Sequence, residues 1–357
     1  MKLVVYGLTV TSSWGNGHAT TYRSLFKALA QRGHQIHFVE KDVEWYRSNR
    51  DMPEPPFCTV HLYDEWADSA TSLLNLSTDA DAIMVGSYFP DAIAATRSLL
   101  ERTSAPLLFY DIDTPITISR LRESGGAEYL DNALIPAYSA YLSFTGGPTL
   151  RELESRFGAQ RAIAFYCSVD PELYHRMPAR VEFCCDLSYL GTYAPDRQPK
   201  LERFLNDVAK SSTANRFIVA GPQYPADLHW PANVRRIIHL SPREHPTFYS
   251  SSRFTLNLTR DDMVAAGYSP SVRLFEASAC GAAILSDSWA GLDEFLTPGE
   301  EILVPQNTSQ VLDILLNLSD EERVRIGNCA RDRILSEHTS AHRAEQFEEI
   351  VAACRSR

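Results

Sequence analysis

Long apolar runs, paired cysteines and an excess of positive charge are all missing from this sequence of 357 residues. Because a membrane-spanning helix needs roughly 18 consecutive apolar residues, stable insertion into a membrane is not expected. The formal net charge of -11 argues against a general electrostatic attraction to nucleic acid or to anionic lipid. Any phosphate-bearing ligand must therefore be held by a local cluster of donors.

The seven cysteines include no CxxC pair, and two of them, Cys184 and Cys185, are neighbours in the sequence. This spacing fits neither a disulfide framework nor a structural zinc site. We therefore expect reduced thiols and a cytoplasmic protein.

Two common phosphate-binding motifs are absent as well. The stretch "GNGHAT" begins at Gly15 but has Thr20 where a dinucleotide-binding GxGxxG loop requires its third glycine. Glu40, at the end of the next strand candidate, is an ordinary feature of α/β proteins and does not restore an NAD-type interpretation. No Gly-Lys-Ser or Gly-Lys-Thr sequence supplies a Walker loop.

Short apolar runs that end at glycine, aspartate or serine alternate with longer segments of helical period, which is the pattern of parallel sheets covered by helices. The opening stretch "MKLVVYGLTV" is interpreted as the first strand rather than a signal sequence, because its apolar run is only as long as a strand. The later strand candidates are "QIHFVE", "FCTVHLY", "AIMVGS", "PLLFYD", "AYLSFT", "AIAFYC", "CDLSYLG", "RFIVAG", "VRRIIHL", "RFTLNL", "AAILSD" and "EILVP".

The alternation starts again after residue 183, and the segment from Val169 to Phe183 contains prolines but no clear apolar period. A chain of this length is also too long for one ordinary core. We therefore predict an α/β protein with two Rossmann-like, doubly wound parallel-sheet domains, over residues 1–170 and 171–335. A C-terminal helix within residues 336–357 can cross back to the first domain. Because such sheets bind ligands at the carboxyl ends of their strands, we expect the site in a cleft between the domains.

The most informative stretch is "SPSVRLFEASACGAAILSDSWAGLDEFLTPGEE", which begins at Ser269. Pro270 suits the first turn of a helix, and Ser269 or Ser271 can supply the N-cap. The free backbone donors of that helix start, together with Arg273, would bind an anion. Glu276 projects from nearly the same helix face and could accept from ribose hydroxyls. A surface ion pair between Arg273 and Glu276 is the alternative.

This arrangement resembles the nucleotide-sugar site of GT-B glycosyltransferases, and its wording is particularly close to the CgeB-type, spore-maturation-protein-like group. The resemblance covers the chain from "GNGHATTYRSL" to "PGEEILV". It implies a bacterial GT-B enzyme in which Glu276 holds the donor ribose, while Ser271 and Arg273 take the phosphates. Many retaining GT-B enzymes carry a second glutamate eight positions earlier, and that position is Tyr268 here. A retaining mechanism is therefore not expected.

The remaining donor residues follow from the same resemblance. Arg197 is the candidate diphosphate contact with Lys200 in reserve, and a solvated charge is the alternative for either. His239 to Ser241 lie where such enzymes often hold the nucleobase with backbone groups. The predicted donor-binding set is Arg197, His239, Leu240, Arg260, Ser269, Ser271, Val272, Arg273 and Glu276.

In the first half of the chain, His18 begins a helical pattern after the glycine-rich turn. Imidazole can accept a proton from a hydroxyl near neutral pH if a carboxylate or a carbonyl holds the ring in one tautomer. The stretch "PLLFYDIDTP" places Asp111 and Asp113 at the end of a later strand, on the same rim of the expected sheet. A helix-start role for His18 and an Asx turn at the aspartates are the alternatives.

Inverting GT-B enzymes use a similar pair, a histidine after a glycine in the first loop and an aspartate further along the chain. The resemblance therefore implies that His18 is a general base and that Asp111 or Asp113 is its partner, on an acceptor-side first domain. The loops expected to shape this side contain Gly15, Asn16, Gly17, Gly146 and Gly147.

The leading prediction is a hexosyltransferase-type glycosyltransferase that moves a sugar from a nucleotide-diphosphate sugar, expected to be UDP-linked, to an acceptor hydroxyl with inversion. The two-sheet layout lacks the single-sheet context in which a DxD pair binds a metal, so no metal and no cofactor are expected. The alternatives are a sugar-nucleotide epimerase and a non-catalytic nucleotide-sugar-binding protein. Trp14, Tyr110 and Trp289 could stack on a sugar or a base, or could belong to the core.

Overall fold

The computed structural model describes residues 1–356, which form two compact α/β units. The first unit comprises Met1–Ser168 together with the last helix of the chain, and the second comprises Val169–Thr339. None of the helices in residues 1–356 combines the length and the apolar character that crossing a membrane requires.

The first unit contains one large sheet and one small strand pair. Its strands are β1 (Lys2–Tyr6), β2 (Gln35–Lys41), β3 (Thr59–Tyr63), β4 (Ala82–Gly86), β5 (Leu107–Asp111), β6 (Gly126–Ala127), β7 (Leu130–Asp131), β8 (Ala140–Ser143) and β9 (Ala162–Ala164). Its helices up to residue 168 are α1 (His18–Gln31), α2 (Glu44–Arg47), α3 (Trp66–Asn75), α4 (Ala92–Arg102), α5 (Thr114–Ser124) and α6 (Pro148–Ser155). Seven strands form a parallel sheet in the order β3-β2-β1-β4-β5-β8-β9, while β6 and β7 form a small antiparallel pair.

The central strands are apolar because helices cover both faces of a parallel sheet. Every residue of β4 and β5 is buried, and in β1 only Lys2 is partly exposed. The edge strand β3 has a mixed sequence in which only Tyr63 is buried. The last helix packs on α1, where the Glu348 carboxylate accepts from Arg32 Nη2 and His34 Nε2, each at 2.6 Å.

The second unit is built on a smaller sheet. Its strands are β10 (Cys185–Leu190), β11 (Phe217–Ala220), β12 (Val234–Ile237), β13 (Ser252–Asn257) and β14 (Ala283–Ser286). The remaining helices of the chain are α7 (Gln198–Leu201), α8 (Asp207–Ser211), α9 (His245–Ser251), α10 (Asp261–Ala266), α11 (Val272–Ala279), α12 (Thr308–Asn317), α13 (Asp320–Glu337) and the last helix, α14 (Ser340–Arg355). The five strands are parallel and lie in the order β12-β11-β10-β13-β14.

Both sheets reverse their strand order at one place. In the first sheet the chain moves outward from β1 to β3 and then places β4 on the other side of β1. In the second sheet β13 lies on the other side of β10 in the same way. Open α/β sheets bind ligands at the carboxyl ends of strands next to such a reversal. The loops after β1, β10 and β13 are therefore well placed for function.

One expected strand is wrong. Apart from "EILVP", each strand candidate of the sequence contains an observed strand. In "EILVP", Leu303 makes only an isolated bridge to Leu285. The preceding residues are tied into a turn in which the Gly299 amide donates to the Ile302 carbonyl at 2.7 Å, so too few residues are left extended for a ladder.

The expected start of α11 is also wrong. Pro270 does not lie in the first turn, because the helix begins at Val272 after an extended Ser271. The Ser271 hydroxyl donates to the side chain of Asn257 at 2.7 Å and does not cap the helix. The helix N-terminus therefore has no side-chain cap.

Gly327→Ala is expected to lower the melting temperature, although alanine is ordinarily the better helix former. A Cβ at this position of α13 would lie 2.3 Å from the carbonyl oxygen of Gly281, and a backbone atom cannot rotate away as a side chain would. Overpacking of this kind costs roughly 1–3 kcal/mol. Thermal unfolding followed by circular dichroism measures the effect.

The control is Ser336→Ala on the exposed surface of the same helix, which should leave the melting temperature unchanged or slightly raised. Equal melting temperatures for Gly327→Ala and the wild type would contradict the close approach of α13 to Gly281.

Candidate functional site

The loop after β1 is held in place by the buried carboxylate of Glu40. This side chain accepts hydrogen bonds from the amides of Val10 and Thr11, at 2.7 and 3.2 Å, and from the hydroxyls of Thr9 and Thr11, at 2.9 and 2.5 Å. A carboxylate with four donors is compatible with full burial. Glu40 therefore shapes the loop that leads to His18.

His18 is the first residue of α1 and is only 5% exposed. Its Nε2 lies 3.4 Å from Oδ2 of Asp113, and its ring meets the ring of Tyr88 edge-on with a centroid separation of 5.5 Å. Its Nδ1 is buried and has no hydrogen-bond partner within residues 1–356. If Nε2–H donates to Asp113, Nδ1 keeps its lone pair, which is the tautomer that a general base needs.

Asp111 and Asp113 have different surroundings. Asp111 ends β5 and is fully buried, where its carboxyl accepts from Tyr141 Oη at 2.5 Å and from Thr117 Oγ1 at 2.8 Å. Burial raises the pKa of Asp111 to about 7. The structure therefore brings Asp113 to His18 and leaves Asp111 inside the unit, where it fixes the start of α5.

Two of the predicted loops in the first unit lead directly into α1 and α6. Asn16 donates from Nδ2 to the carbonyls of Ser12 and Trp14, and its Oδ1 accepts from the amide of Ala19 at 3.1 Å. Gly15 adopts a φ of 71°, which favours glycine. The other predicted loop glycines are placed at the starts of these helices: Gly17 precedes α1, and Gly146 and Gly147 precede α6.

In the second unit, the side chain of Asn257 joins three elements. Asn257 ends β13, and its Oδ1 accepts from Ser271 Oγ at 2.7 Å and from Arg273 Nη1 at 2.9 Å. Its Nδ2 donates to Ser286 Oγ, at the end of β14, at 2.9 Å. This amide therefore holds Arg273 at the start of α11 against the ends of two strands.

Arg273 is a buried cation whose partners are all neutral. Only 8% of the residue is exposed. Its Nε donates to the Leu190 carbonyl at 2.6 Å, its Nη1 donates to Asn257, and its guanidinium lies 5.0 Å from the centre of the Tyr189 ring. Arg273 forms no ion pair within the described part of the chain, and its charge acts only at longer range on the Glu276 carboxyl of the same helix. A buried charge without a directly paired counter-ion is costly, so this position favours an anionic ligand.

Arg197 and Lys200, two further basic residues considered for the site, differ in whether they are paired with carboxylates. Arg197 donates from Nη2 to the Thr192 carbonyl at 2.6 Å, and its buried Nε has no partner within residues 1–356. Lys200 is paired with Asp261 at 2.8 Å and with Asp287 at 3.3 Å.

Arg260 occupies the N-cap position of α10 without making a side-chain capping bond. Its Nε is 3.7 Å from Oδ2 of Asp196. Arg197 and Arg273 both lie against the loop after β10: Arg197 bonds Thr192, and a Cβ on Gly191 would meet Arg273 Nη2 at 2.8 Å. Arg260 is paired instead with Asp196, the residue that precedes Arg197.

Glu276 is buried on α11 and is not a surface partner of Arg273. Burial raises the pKa of Glu276 to about 7, against the hydrogen bond from Tyr174 and the charge of Arg273, which lower it. His245 Nδ1 lies 3.9 Å from Glu276 Oε2, while His245 Nε2 donates to the Leu240 carbonyl at 3.2 Å. Burial lowers the pKa of His245 to about 4, so this ring is neutral at pH 7.

The remaining predicted donor residues surround these groups. Ser269 is buried, Val272 is the first residue of α11, and His239 is exposed beside the buried Leu240. Tyr268 has a φ of 49° and donates from its amide to the Ala290 carbonyl at 2.6 Å. Position 268 therefore presents a tyrosine, in left-handed backbone conformation, to the loop before α11.

Sequence reasoning missed Tyr174, His245 and Asn257. Tyr174 lies in the segment from Val169 to Phe183, which has no clear apolar period, and it is 4% exposed. Asn257 is a polar residue within the apolar run "RFTLNL", which is the one signal that could have identified it.

Of the three aromatic candidates, Tyr110 and Trp289 are buried and Trp14 is partly exposed. Within residues 1–356, no group of three or more potential ligand side chains is arranged to hold a metal ion.

Comparison with known proteins identifies the architecture. Residues 197–349 match the family model described as glycosyl transferase-like. No curated protein matches the chain in sequence. Sucrose-phosphate synthase from Thermosynechococcus elongatus is 12% identical with a TM-score of 0.71, over 100% of this chain and 99% of that one. HepE from Anabaena in complex with UDP and glucose is 11% identical with a TM-score of 0.72, over 99% and 100%.

The chain has the GT-B fold. A third GT-B neighbour, an alpha-glucosyltransferase in complex with UDP-glucose and DNA, is 14% identical with a TM-score of 0.68, over 98% of each chain. The predicted fold class is thus confirmed, and the glycosyl transferase-like sequence falls on the second GT-B unit and on α14.

Asp111→Asn is expected to flatten the pH dependence of stability of this GT-B protein. The carboxyl has a pKa of about 7 when folded, against an ordinary value of 3.8. Between these values the folded chain binds the proton and the unfolded chain does not, so stability falls as the pH rises, by at most about 1.4 kcal/mol per pH unit. Thermal unfolding at a series of pH values measures the slope.

The control for this series is Asp64→Asn, since the Asp64 side chain is 78% exposed. It should follow the wild-type curve. An Asp111→Asn curve parallel to the wild type would show that Asp111 does not hold a proton in the folded state.

Proposed function

We propose that the chain is a glycosyltransferase that takes a hexosyl group from a nucleotide-diphosphate sugar, with UDP as the nucleotide, and transfers it to an acceptor hydroxyl. The observation that carries the proposal is the buried guanidinium of Arg273. It has only neutral hydrogen-bond partners, projects from the first turn of α11, whose start has no side-chain cap, and lies against the loop after β10 to which Arg197 also bonds. A diphosphate supplies the missing negative charge and accepts from the free N–H groups.

The donor is proposed to bind along the second unit. Its phosphates contact Arg273, Arg197 and the start of α11 at Ser271 and Val272, while its ribose hydroxyls donate to Glu276. The glycosyl transferase-like match over residues 197–349 supports this assignment. The names of two structural neighbours also include UDP or UDP-glucose as a bound ligand. The resemblance to the CgeB-type group belongs to the same proposal.

The acceptor is proposed to bind on the first unit, with His18 as general base. The attacking hydroxyl oxygen bonds to the anomeric carbon as its proton passes to His18 Nδ1, while Nε2–H stays on Asp113. The bond from the anomeric carbon to the diphosphate breaks, and its electron pair leaves with the nucleotide, stabilised by the two arginines. A single displacement of this kind inverts the anomeric configuration and uses no metal. The net charge of -11 favours an acceptor other than nucleic acid.

Arg273→Ala is expected to weaken UDP binding by about 100-fold, because a buried charge-assisted contact is lost.

UDP affinity of the wild type should also fall as the pH decreases through about 7, since a protonated Glu276 no longer accepts two ribose hydrogen bonds. Glu276→Gln should bind UDP weakly at every pH in this range. Isothermal titration calorimetry measures all three affinities.

Arg253→Ala is the matched control, since Arg253 is a partly exposed arginine of the same unit that pairs with Asp186 at 3.1 Å. It should bind UDP like the wild type. Equal UDP affinities for Arg273→Ala and Arg253→Ala would place the donor elsewhere.

His18→Ala is expected to reduce sugar transfer by about 100-fold to 10,000-fold, the range for loss of a general base, with UDP affinity unchanged. Transfer is measured by UDP release and by nuclear magnetic resonance of the product, which also gives its anomeric configuration. His61→Ala, on the edge strand β3 of the same unit, is the control. Retained configuration, or full transfer by His18→Ala, would overturn the role of His18.

An epimerised nucleotide sugar formed without an acceptor would indicate an epimerase instead.

A further inference from the structure

Two tryptophans of the first unit contact each other at its surface. The rings of Trp14 and Trp45 meet at 80° with a centroid separation of 4.5 Å. Trp45 is 52% exposed, and Trp14 is partly exposed. Neither indole is among the buried hydrophobic residues of the core, and apolar side chains that adjoin each other at the surface are more informative than single ones.

The loop that carries Trp14 is rigidly built. Asp51 accepts from the amide of Ser13 at 2.8 Å, from the Ser13 hydroxyl at 2.9 Å, and from two nitrogens of Arg23 at 2.8 Å. Burial opposes the ionisation of this carboxyl, but the bonds from Arg23 and Ser13 bring the pKa of Asp51 down to about 2. These bonds anchor the loop at Ser13, and a loop anchored in this way loses less entropy when a ligand binds.

The two tryptophan segments are also tied to each other and to His18. The Ser12 hydroxyl donates to the Asn49 carbonyl at 2.8 Å, and the Asn49 side chain donates to the Trp45 carbonyl at 3.0 Å. Asn16 donates to the Trp14 carbonyl at 3.2 Å and accepts from the amide that follows His18. The paired indoles thus have a fixed position relative to the helix that His18 begins.

The charges around the indoles favour a neutral ligand. Arg47 pairs with Asp42 at 3.1 Å and with Asp64 at 3.0 Å, and Arg50 pairs with the other oxygen of Asp42 at 2.5 Å. Basic groups that are already paired, in a chain of net charge -11, do not attract an anionic membrane or nucleic acid. A pyranose ring is neutral, and its C–H face is apolar, so an exposed indole can stack on it.

We propose that Trp14 and Trp45 form a platform for a pyranose ring of the acceptor, which is therefore a glycan or a glycoside. This inference rests on the proposed function, because it places the platform beside the acceptor hydroxyl that His18 deprotonates. The platform sets acceptor affinity and takes no part in the bond-making step.

Saturation-transfer nuclear magnetic resonance with maltose, cellobiose and chitobiose, in the absence of donor, tests the platform directly. At least one disaccharide should receive magnetisation at its ring C–H protons from the wild type. The signal should vanish in Trp45→Ala, weaken in Trp14→Ala and be partly kept in Trp45→Phe. With that sugar as acceptor, Trp45→Ala should raise KM by about tenfold and leave kcat and UDP affinity unchanged.

Leu62→Ala is the matched control, since Leu62 is an exposed apolar residue of the same unit, 44% exposed, and it should bind like the wild type. Absence of disaccharide binding, or equal binding by Trp45→Ala, would overturn the platform. An effect of Trp45→Ala only on binding to phosphatidylglycerol vesicles or on self-association would overturn it too. UDP titration of the same samples reports on the proposed function separately: UDP binding without sugar binding rejects only the platform, and sugar binding without UDP binding rejects the donor site.

Discussion

Asn257 has one side-chain carbonyl oxygen and uses it twice, accepting from Ser271 and from Arg273 at 2.7 and 2.9 Å. Because the residue ends β13 and also bonds Ser286 at the end of β14, the guanidinium is fixed to the sheet and not only to its own helix. The amide supplements the bond from Arg273 Nε to the Leu190 carbonyl at 2.6 Å. Together the two bonds hold a full positive charge in a buried position without an ion-pair partner among the described residues, and an anionic ligand would offset the free energy of that burial.

Both units use carboxylates to shape loops, and the second also holds a buried cation at a helix start. In the first unit, Glu40 and Asp51 collect backbone and hydroxyl donors around Thr11 and Ser13. In the second unit, Asp287 accepts from the amide and the hydroxyl of Thr259 at 3.0 and 2.9 Å. The guanidinium of Arg273 is bonded to neutral oxygens, and the proposed phosphate contact depends on this cation.

Alternating apolar runs and helical patterns were sufficient to predict both sheets, because a strand covered on both faces must be apolar along its whole length. The site was less accessible to such reasoning. The two aspartates of "DID" are two residues apart, and only the end of β5 decides that Asp111 turns inward to Tyr141 while Asp113 reaches His18. Ser271 was expected to cap α11, but its hydroxyl bonds Asn257 across the sheet, a long-range contact that no local pattern encodes. Tyr174 lies in a segment without periodicity, so its burial against Glu276 left no trace in the sequence.

The return of the chain to the first unit has a consequence for dissecting the protein. The second unit is one continuous stretch, Val169–Thr339, whereas the first needs two stretches that are far apart in the sequence. A fragment that stops at residue 168 lacks α14 and with it the Glu348 carboxylate that binds Arg32 and His34 at the end of α1. It also exposes the face of the unit on which Phe347 packs against Phe165. The second unit is therefore encoded by one continuous fragment, while the complete first unit requires a fusion of its final helix to residue 168 or a circularly permuted gene.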